Sequence, residues 1–255
     1  MSAPATLTYV GGATALIEFG GLRFLTDPTF DPRGSAFSPG PYTLTRTTTP
    51  ALASESLGRI DAVLLSHDHH YDNLDTAGRA LLPHAGVVIT THAGADRLGG
   101  NAVGLAPWEA FPLRGMDGAE VMVTATPCRH GPAHADRGPV IGFLLTDTSG
   151  ASIYISGDSV WYEGMQEVAA RFAPRTAVLF LGAATVDAVG PFPLTLTAEG
   201  AVEAAHAFGG SMIVPLHYEG WAHFTEGSPD VVRAFAVAGL TDRLRWPVPG
   251  QAISL

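Results

Sequence analysis

The chain predicts a mixed α/β fold in which helices cover sheets on both sides. Three observations carry that expectation. The first thirty residues hold short apolar runs separated by the glycine pairs Gly11-Gly12 and Gly20-Gly21, the pattern of strands joined by tight turns. From about residue 150 onward, stretches of helical spacing alternate with short buried runs. Hydrophobic residues make up 46% of 255 and charged residues 15%, enough apolar material for a substantial core in one large domain or two fused halves.

The elements follow in order. Leu7 to Val10, Ala13 to Phe19 and Leu22 to Thr26 read as strands, with Gly20-Gly21 as a hairpin turn. Residues 27–50 are rich in Pro, Gly, Ser and Thr; a loop this long is often functional, and the part from Thr29 to Pro50 is expected to act as a lid. Ile60 to Leu65 and Val87 to Thr90 read as buried strands, and Asp72 to Leu82 between them has helical spacing with Asp72 or Asn73 as cap. Further strands are expected at Val121 to Ala125, Val140 to Leu145 and Ser152 to Ser156. The chain then alternates: helix near Tyr162 to Phe172, strand Ala177 to Leu181, helix Ala198 to Phe208 capped by Thr197, strand Met212 to Pro215, helix Asp230 to Ala238, and a terminal strand near Ala252 to Leu255.

Charge and composition exclude several functions. The formal charge is −10, which argues against a nucleic-acid partner, since phosphate contacts need clustered cations. All fourteen cations are arginine, so Schiff-base, pyridoxal-phosphate and Walker A lysines are absent. Cys128 is the single cysteine, which removes a disulfide framework and a thiolate-rich zinc site. The N-terminus lacks a basic region followed by an apolar core, and no apolar run approaches a membrane span; a cytoplasmic location is expected.

The chemistry concentrates in Ser66-His67-Asp68-His69-His70-Tyr71-Asp72-Asn73, directly after the apolar run that ends at Leu65. Imidazole nitrogen and carboxylate oxygen are ligands for Zn²⁺ and similar borderline ions, and strand ends are where α/β proteins place reactive groups. Other candidate ligands, His130, Asp158 and His217, each lie beside an apolar run. A Gly-x-Ser-x-Gly elbow is missing, against a serine hydrolase.

The series "GGATALIEFGGLRFLTDPTF", "LLSHDHHYDNLD", "TPCRHGP", "YISGDS" and "VPLHYEGWAHF" resembles, in order and spacing, the motifs of the metallo-β-lactamase fold superfamily. Within it the chain resembles the metal-dependent hydrolases that include ascorbate-6-phosphate lactonases and N-acyl-phosphatidylethanolamine phospholipase D-like enzymes. The resemblance implies a four-layer αββα sandwich over residues 1–255, built of two similar halves meeting near 147. It also implies one or two metal ions at the edge between the sheets. The family's "HxHxDH" is altered. Counted from the left, His67 and His69 are its histidines; counted from the right, "DNLD" makes His70 and Asp72 the second His and the Asp, with Asn73 in the place of the last His. His67, His70 and Asp72 are the favoured register, because i and i+3 meet on one side of a helical turn; His69 and Asp68 are the alternative. His130, Asp158 and His217 match the third His, the bridging Asp and the last His, and Asp27 the early "DP" aspartate that orients a ligand.

The expected function is metal-dependent hydrolysis of a small-molecule ester, lactone or phosphodiester, with a metal-bound hydroxide as nucleophile. Zn²⁺ or Mn²⁺ is the expected cofactor, with iron as a further option. His67, His70 and His130 would hold one ion, and Asp72, Asp158 and His217 a second; Asp72 and Asp158 thus count as catalytic. His134 and His223 are candidate proton donors. Tyr218, Trp161, Tyr162 and Trp221 are candidate pocket walls, Arg129 a candidate anion contact, and Cys128 a small buried residue. A small-molecule substrate and self-association into a homo-oligomer are the expected partners. Two other readings differ in class: a degenerate member that binds without turnover, to which the altered motif points, and a redox-active di-iron protein.

Overall fold

Gly20 and Gly21 adopt φ of 59° and 83° and close a two-residue hairpin between the strands Thr14–Phe19 and Leu22–Thr26. That turn demands left-handed backbone at both positions, which glycine adopts without a steric penalty. In the computed structural model, which describes residues 5–115 and 118–255, these strands belong to a seven-stranded sheet ordered Ala252–Ser254, Thr6–Gly11, Thr14–Phe19, Leu22–Thr26, Ala62–Leu64, Val87–Thr91, Ala102–Leu105. Pairing is antiparallel as far as Leu22–Thr26 and parallel beyond it. A second sheet of six runs Met212–Leu216, Thr176–Phe180, Ser152–Ile155, Ile141–Asp147, Glu120–Pro127, Ala110–Arg114. Its first three strands are parallel and the rest antiparallel.

Alternation along the strands makes the layers. In the second sheet Val121, Val123, Phe143, Leu145, Ile153, Ile155, Val178 and Phe180 face Leu7, Tyr9, Ile17, Phe24, Leu64 and Ile89 of the first, forming one dry interior. Their sequence neighbours Leu144, Tyr154, Ala177 and Leu179 point the other way, onto Met165, Val168, Ala201, Ala205 and Phe235 of the helices Glu163–Arg171, Ala198–Ala207 and Ser228–Val237. On the far side Leu16, Leu25, Val63 and Val88 pack beneath Leu74 and Leu82, beside the helix Thr76–Leu81. The result is the four-layer αββα sandwich. Burial at roughly 1.5–3 kcal/mol per large apolar side chain falls on both faces of both sheets. No helix among the described residues is long and apolar enough to cross a membrane.

Local expectations differ from the structure in places. The helix expected over 72–82 is only Thr76–Leu81, capped by Asp75, whose carboxylate accepts from Gly78 N at 2.7 Å; Asp72 and Asn73 precede it in a turn whose Asn73 N and Leu74 N donate to the His70 carbonyl at 3.3 and 2.9 Å. The strands Ala102–Leu105 and Ala110–Arg114 and the helix His92–Leu98 are too short, and too broken by Gly94, Gly104 and Pro112, to show a period. The chain passes from one sheet to the other between Leu105 and Ala110, whereas residue 147 ends a strand inside the second sheet.

Candidate metal centre

Asp27, His67, Asp158 and His217 each lie one to three residues beyond a strand of the parallel part of its sheet, and His130 follows the strand Glu120–Pro127. Polar groups are cheapest to hold outside the carboxyl ends of parallel strands, where backbone donors and solvent remain available. The two sheets meet at this edge: Ile141 N donates to Ser66 O at 3.1 Å and His217 N to Gly12 O at 2.8 Å. Tightness here is bought with backbone strain. Asp27, Ala183 and His217 have φ of 29°, 45° and 58°, left-handed values that cost about 1–3 kcal/mol each in non-glycine residues. Gly182 is required because a Cβ there would collide with the carbonyl of His217.

Three imidazoles converge. His67 Nε2 is 2.9 Å and His130 Nε2 3.1 Å from His70 Nδ1. Their hydrogen-bond partners assign the tautomers. Ser66 Oγ donates its proton to Asp27 Oδ1 at 2.6 Å, so it accepts from His67 Nδ1 at 2.9 Å. The Leu194 carbonyl can only accept, from His130 Nδ1 at 2.8 Å. Both Nε2 atoms therefore carry bare lone pairs aimed at the same place. Burial first, then mutual repulsion, holds His67 and His70 well below the ordinary histidine pKa, so they stay neutral. Converging neutral lone pairs are a fit for a cation, and hydrogen bonding among the three rings satisfies at most one of them.

Beside them lies an acidic half. Asp158 is fully buried, and neither carboxylate oxygen has a hydrogen-bond donor; the nearest imidazole nitrogens are His217 Nδ1 at 3.7 Å and His130 Nε2 at 3.8 Å. A buried carboxylate that accepts no hydrogen bond costs several kcal/mol unless a positive charge lies beside it, so the site is built for one. His217 Nδ1 is 3.3 Å from the Leu181 carbonyl, and its Nε2, 3.5 Å from Asp72 Oδ2, has no partner. Burial alone would lower the His217 pKa, but the Asp158 and Asp72 carboxylates outweigh it and push it up to about 9. Asp72 is held well below the carboxylate range, because the His217 and His223 imidazoles beside it overcome its burial. His67 with His130 and Asp158, and Asp72 with Asp158 and His217, form two groups whose ligand atoms lie within 4.8 Å of one another. Asp158 is common to both.

Other candidates are placed differently. His69 lies near His67 and His70, but its Nε2 faces the Arg137 carbonyl at 2.8 Å. Asp68, offered by the alternative register, is turned away and ion-paired with Arg97. His134 is exposed, its ring edge-on to Phe192 with centroids 5.3 Å apart. His223 does reach the cluster, its Nε2 3.1 Å from Asp72 Oδ2. Asn73 is fully buried with both carboxamide atoms unpaired. Arg129 stacks over Tyr162 at 4.3 Å and pairs with Glu163, away from the centre. Trp161, Tyr162 and Tyr218 pack in the helix-side core and do not line the cavity. Cys128 is no nucleophile: burial raises its thiol pKa, and Sγ donates to the Asp158 carbonyl at 3.0 Å, which fixes the loop carrying Asp158. Sequence reasoning does not assign Ser66 as the link from Asp27 to His67, although the signal, a hydroxyl directly before the first histidine, is visible in the chain.

A cavity opens onto this centre, lined by His70, Asp72, His130 and His223, by the aliphatic Leu44, Val186 and Leu194 among others, and by Tyr42 and Arg137. Tyr42 and Leu44 come from the long loop, which packs with Trp221, Ala184 and Leu194 in a separate apolar cluster and is pinned by the buried Arg46 beside Asp75 at 3.6 Å.

Comparison with known proteins agrees with this geometry. A family model described as a beta-lactamase superfamily domain matches residues 22–218. The chain is 25% identical over 216 residues to a metal-dependent hydrolase of Korarchaeum cryptofilum, covering 84% of this chain and 82% of the relative. It is 41% identical over only 69 residues to N-acyl-phosphatidylethanolamine-hydrolyzing phospholipase D 1 of Caenorhabditis elegans, 27% of this chain and 18% of that one. Among solved structures, an isothiocyanate hydrolase from Delia radicum gut bacteria superposes with a TM-score of 0.83 at 25% identity, over 98% of this chain and 99% of that one.

Proposed function

Because this chain belongs to the beta-lactamase superfamily and is a metal-dependent hydrolase, we propose that it hydrolyses an ester or lactone bond in a small molecule. The observation that carries the substrate class is the cavity lining: aliphatic side chains surround the four polar groups at the centre, and Arg137 is the one charged group among them besides Asp72. Such a wall favours a compact, largely apolar substrate, and Arg137 can hold a carbonyl or phosphoryl oxygen, so a phosphodiester belongs to the same class.

Zn²⁺ or Mn²⁺ suits the donors, with His67, His70 and His130 holding one ion and Asp72, Asp158 and His217 a second. Bound there, such ions lower the pKa of a water from 15.7 toward ~7 and stabilise charge on the oxygen of the scissile bond. The protein does the rest. Asp27 and Ser66 hold the His67 ring, and the Leu194 carbonyl holds that of His130, each fixing the tautomer that presents Nε2. Asp158 lies between the two groups and joins them. Tyr42 and Leu44 of the long loop keep bulk water from the reacting bond.

A second reading replaces the ester by an isothiocyanate, a small, uncharged and linear electrophile. The same lining and the full-length similarity to an isothiocyanate hydrolase favour it. One panel tests both: nitrophenyl esters, γ- and δ-lactones, bis(p-nitrophenyl) phosphate and benzyl isothiocyanate, each with the Zn²⁺- or Mn²⁺-loaded protein, the chelated protein and Asp158→Asn. Turnover that chelation abolishes and Asp158→Asn lacks is expected. Activity that survives in Asp158→Asn, or a loaded protein inert on the whole panel, would overturn the reading.

A further inference from the structure

We propose that His223 supplies the imidazole that residue 73 lacks, so that the second ion is held by Asp72, Asp158, His217 and His223. The inference rests on the two-ion reading above. It begins from Asn73, which stands where the resembled motif has histidine. Its carboxamide nitrogen has no lone pair to offer a cation, and the side chain is fully buried with both polar atoms unpaired. Left at that, the acidic half would have one imidazole for two carboxylates.

The missing group arrives from elsewhere in the chain. His217 and His223 sit six residues apart on a segment that folds back over the centre. Its return is fixed by three backbone hydrogen bonds: Thr185 N to His223 O at 2.9 Å, Ala222 N to Thr45 O at 3.0 Å and Thr225 N to Gly182 O at 2.9 Å. The His223 ring is set between Phe224, at 4.7 Å between centroids, and Trp221, at 6.3 Å. Both imidazoles then address one oxygen: Asp72 Oδ2 is 3.1 Å from His223 Nε2 and 3.5 Å from His217 Nε2. Ligands about 2.0–2.1 Å from a zinc ion lie at comparable distances from one another. Without an ion, Asp72 Oδ2 accepts from His223 Nε2; a cation seated between them would take the place of that proton, which the buried and unpaired Nδ1 is free to carry. The altered motif is then a relocation of a ligand from the turn after His67 to the loop after His217.

The test counts Zn²⁺ per chain, by elemental analysis of untagged protein stripped with chelator and reloaded. Wild type is expected to hold two, His223→Ala one, and the double variant His223→Ala/Asn73→His two again. Thermal melts of the stripped proteins check that each variant folds, and the restored ion in the double variant separates ligand loss from misfolding. Two ions in His223→Ala, with affinity unchanged, would overturn the proposal; so would one ion in wild type, or a double variant that stays at one. None of these outcomes touches the hydrolase reading, which fails instead if wild type takes up no metal.

Discussion

His70 Nδ1 lies 2.9 Å from His67 Nε2 with the two rings at 90°. That pairing joins the first histidine of the motif to the residue three positions on and leaves His69 Nε2 facing the Arg137 carbonyl. His70→Ala is therefore expected to abolish the three-nitrogen site, while His69→Ala keeps Zn²⁺ affinity near that of wild type. Competition titration with a chromophoric chelator ranks the two; the reverse order would assign the register to His69.

Asp27 would reach a bound cation through Ser66 and the His67 ring. Removing a partner of this kind typically weakens metal affinity about 10–100-fold. Ser66→Ala should show that loss in the same titration, with the fold intact by circular dichroism. An unchanged affinity would mean that packing alone orients the His67 ring.

Asp158 burdens the metal-free chain, because its carboxylate is buried without a hydrogen-bond donor. Above about pH 9, where His217 no longer offsets that charge, Asp158→Asn should raise the melting temperature of stripped protein by about 2–4 °C, the shift that roughly 1 kcal/mol gives in a chain of this size, and should remove the further rise that added Zn²⁺ gives wild type. A lower melting temperature in the stripped variant would show the carboxylate to be satisfied without metal.

The pKa of His217 sets a pH dependence in the stripped protein. Folding raises it from the ordinary 6.5 to about 9, so the proton contributes stability that is fully present below about 6.5. That stability is lost as pH rises through about 9. His67 and His70, with lowered values, act oppositely: stability falls as pH drops below about 6.5. Melting temperature against pH should thus decline on both sides for stripped protein, and the alkaline decline should be weaker with Zn²⁺ bound, since the ion replaces the proton. A flat alkaline limb would contradict the pairing of His217 with the two aspartates.

Tyr42 and Leu44 line the cavity from the long loop. Tyr42→Ala should raise KM for the best panel substrate with a smaller change in kcat. Excising the loop is a worse test than the point change, because it removes Arg46, one of the largest fully buried side chains. Equal KM values would confine the loop to a structural role.

What the sequence made legible follows from spacing. Strand alternation and glycine punctuation mark the sandwich, because those signals are local, and His130, Asp158 and His217 stand beside apolar runs that are easy to see. Within 67–73 both counts fit the order of residues, and the i, i+3 spacing favours His67 with His70; the structure adds that His69 Nε2 faces the carbonyl of Arg137, 68 residues away. The short helix was overestimated because apolar spacing continues through Leu74, which serves the core from a turn. The pairing of His223 with Asp72 spans 151 positions, and no local pattern carries such a contact.

The seam between the two sheets has one more consequence. His67, His70 and Asp72 come from one sheet's side, and His130, Asp158, His217 and His223 from the other, so neither half holds a full complement of donors. A cation seated there would act as a cross-link between halves that otherwise adhere through apolar contact and a few backbone bonds. Loading would then be the last step of assembly as well as the first of catalysis, and a starved chain would open along that line before anywhere else.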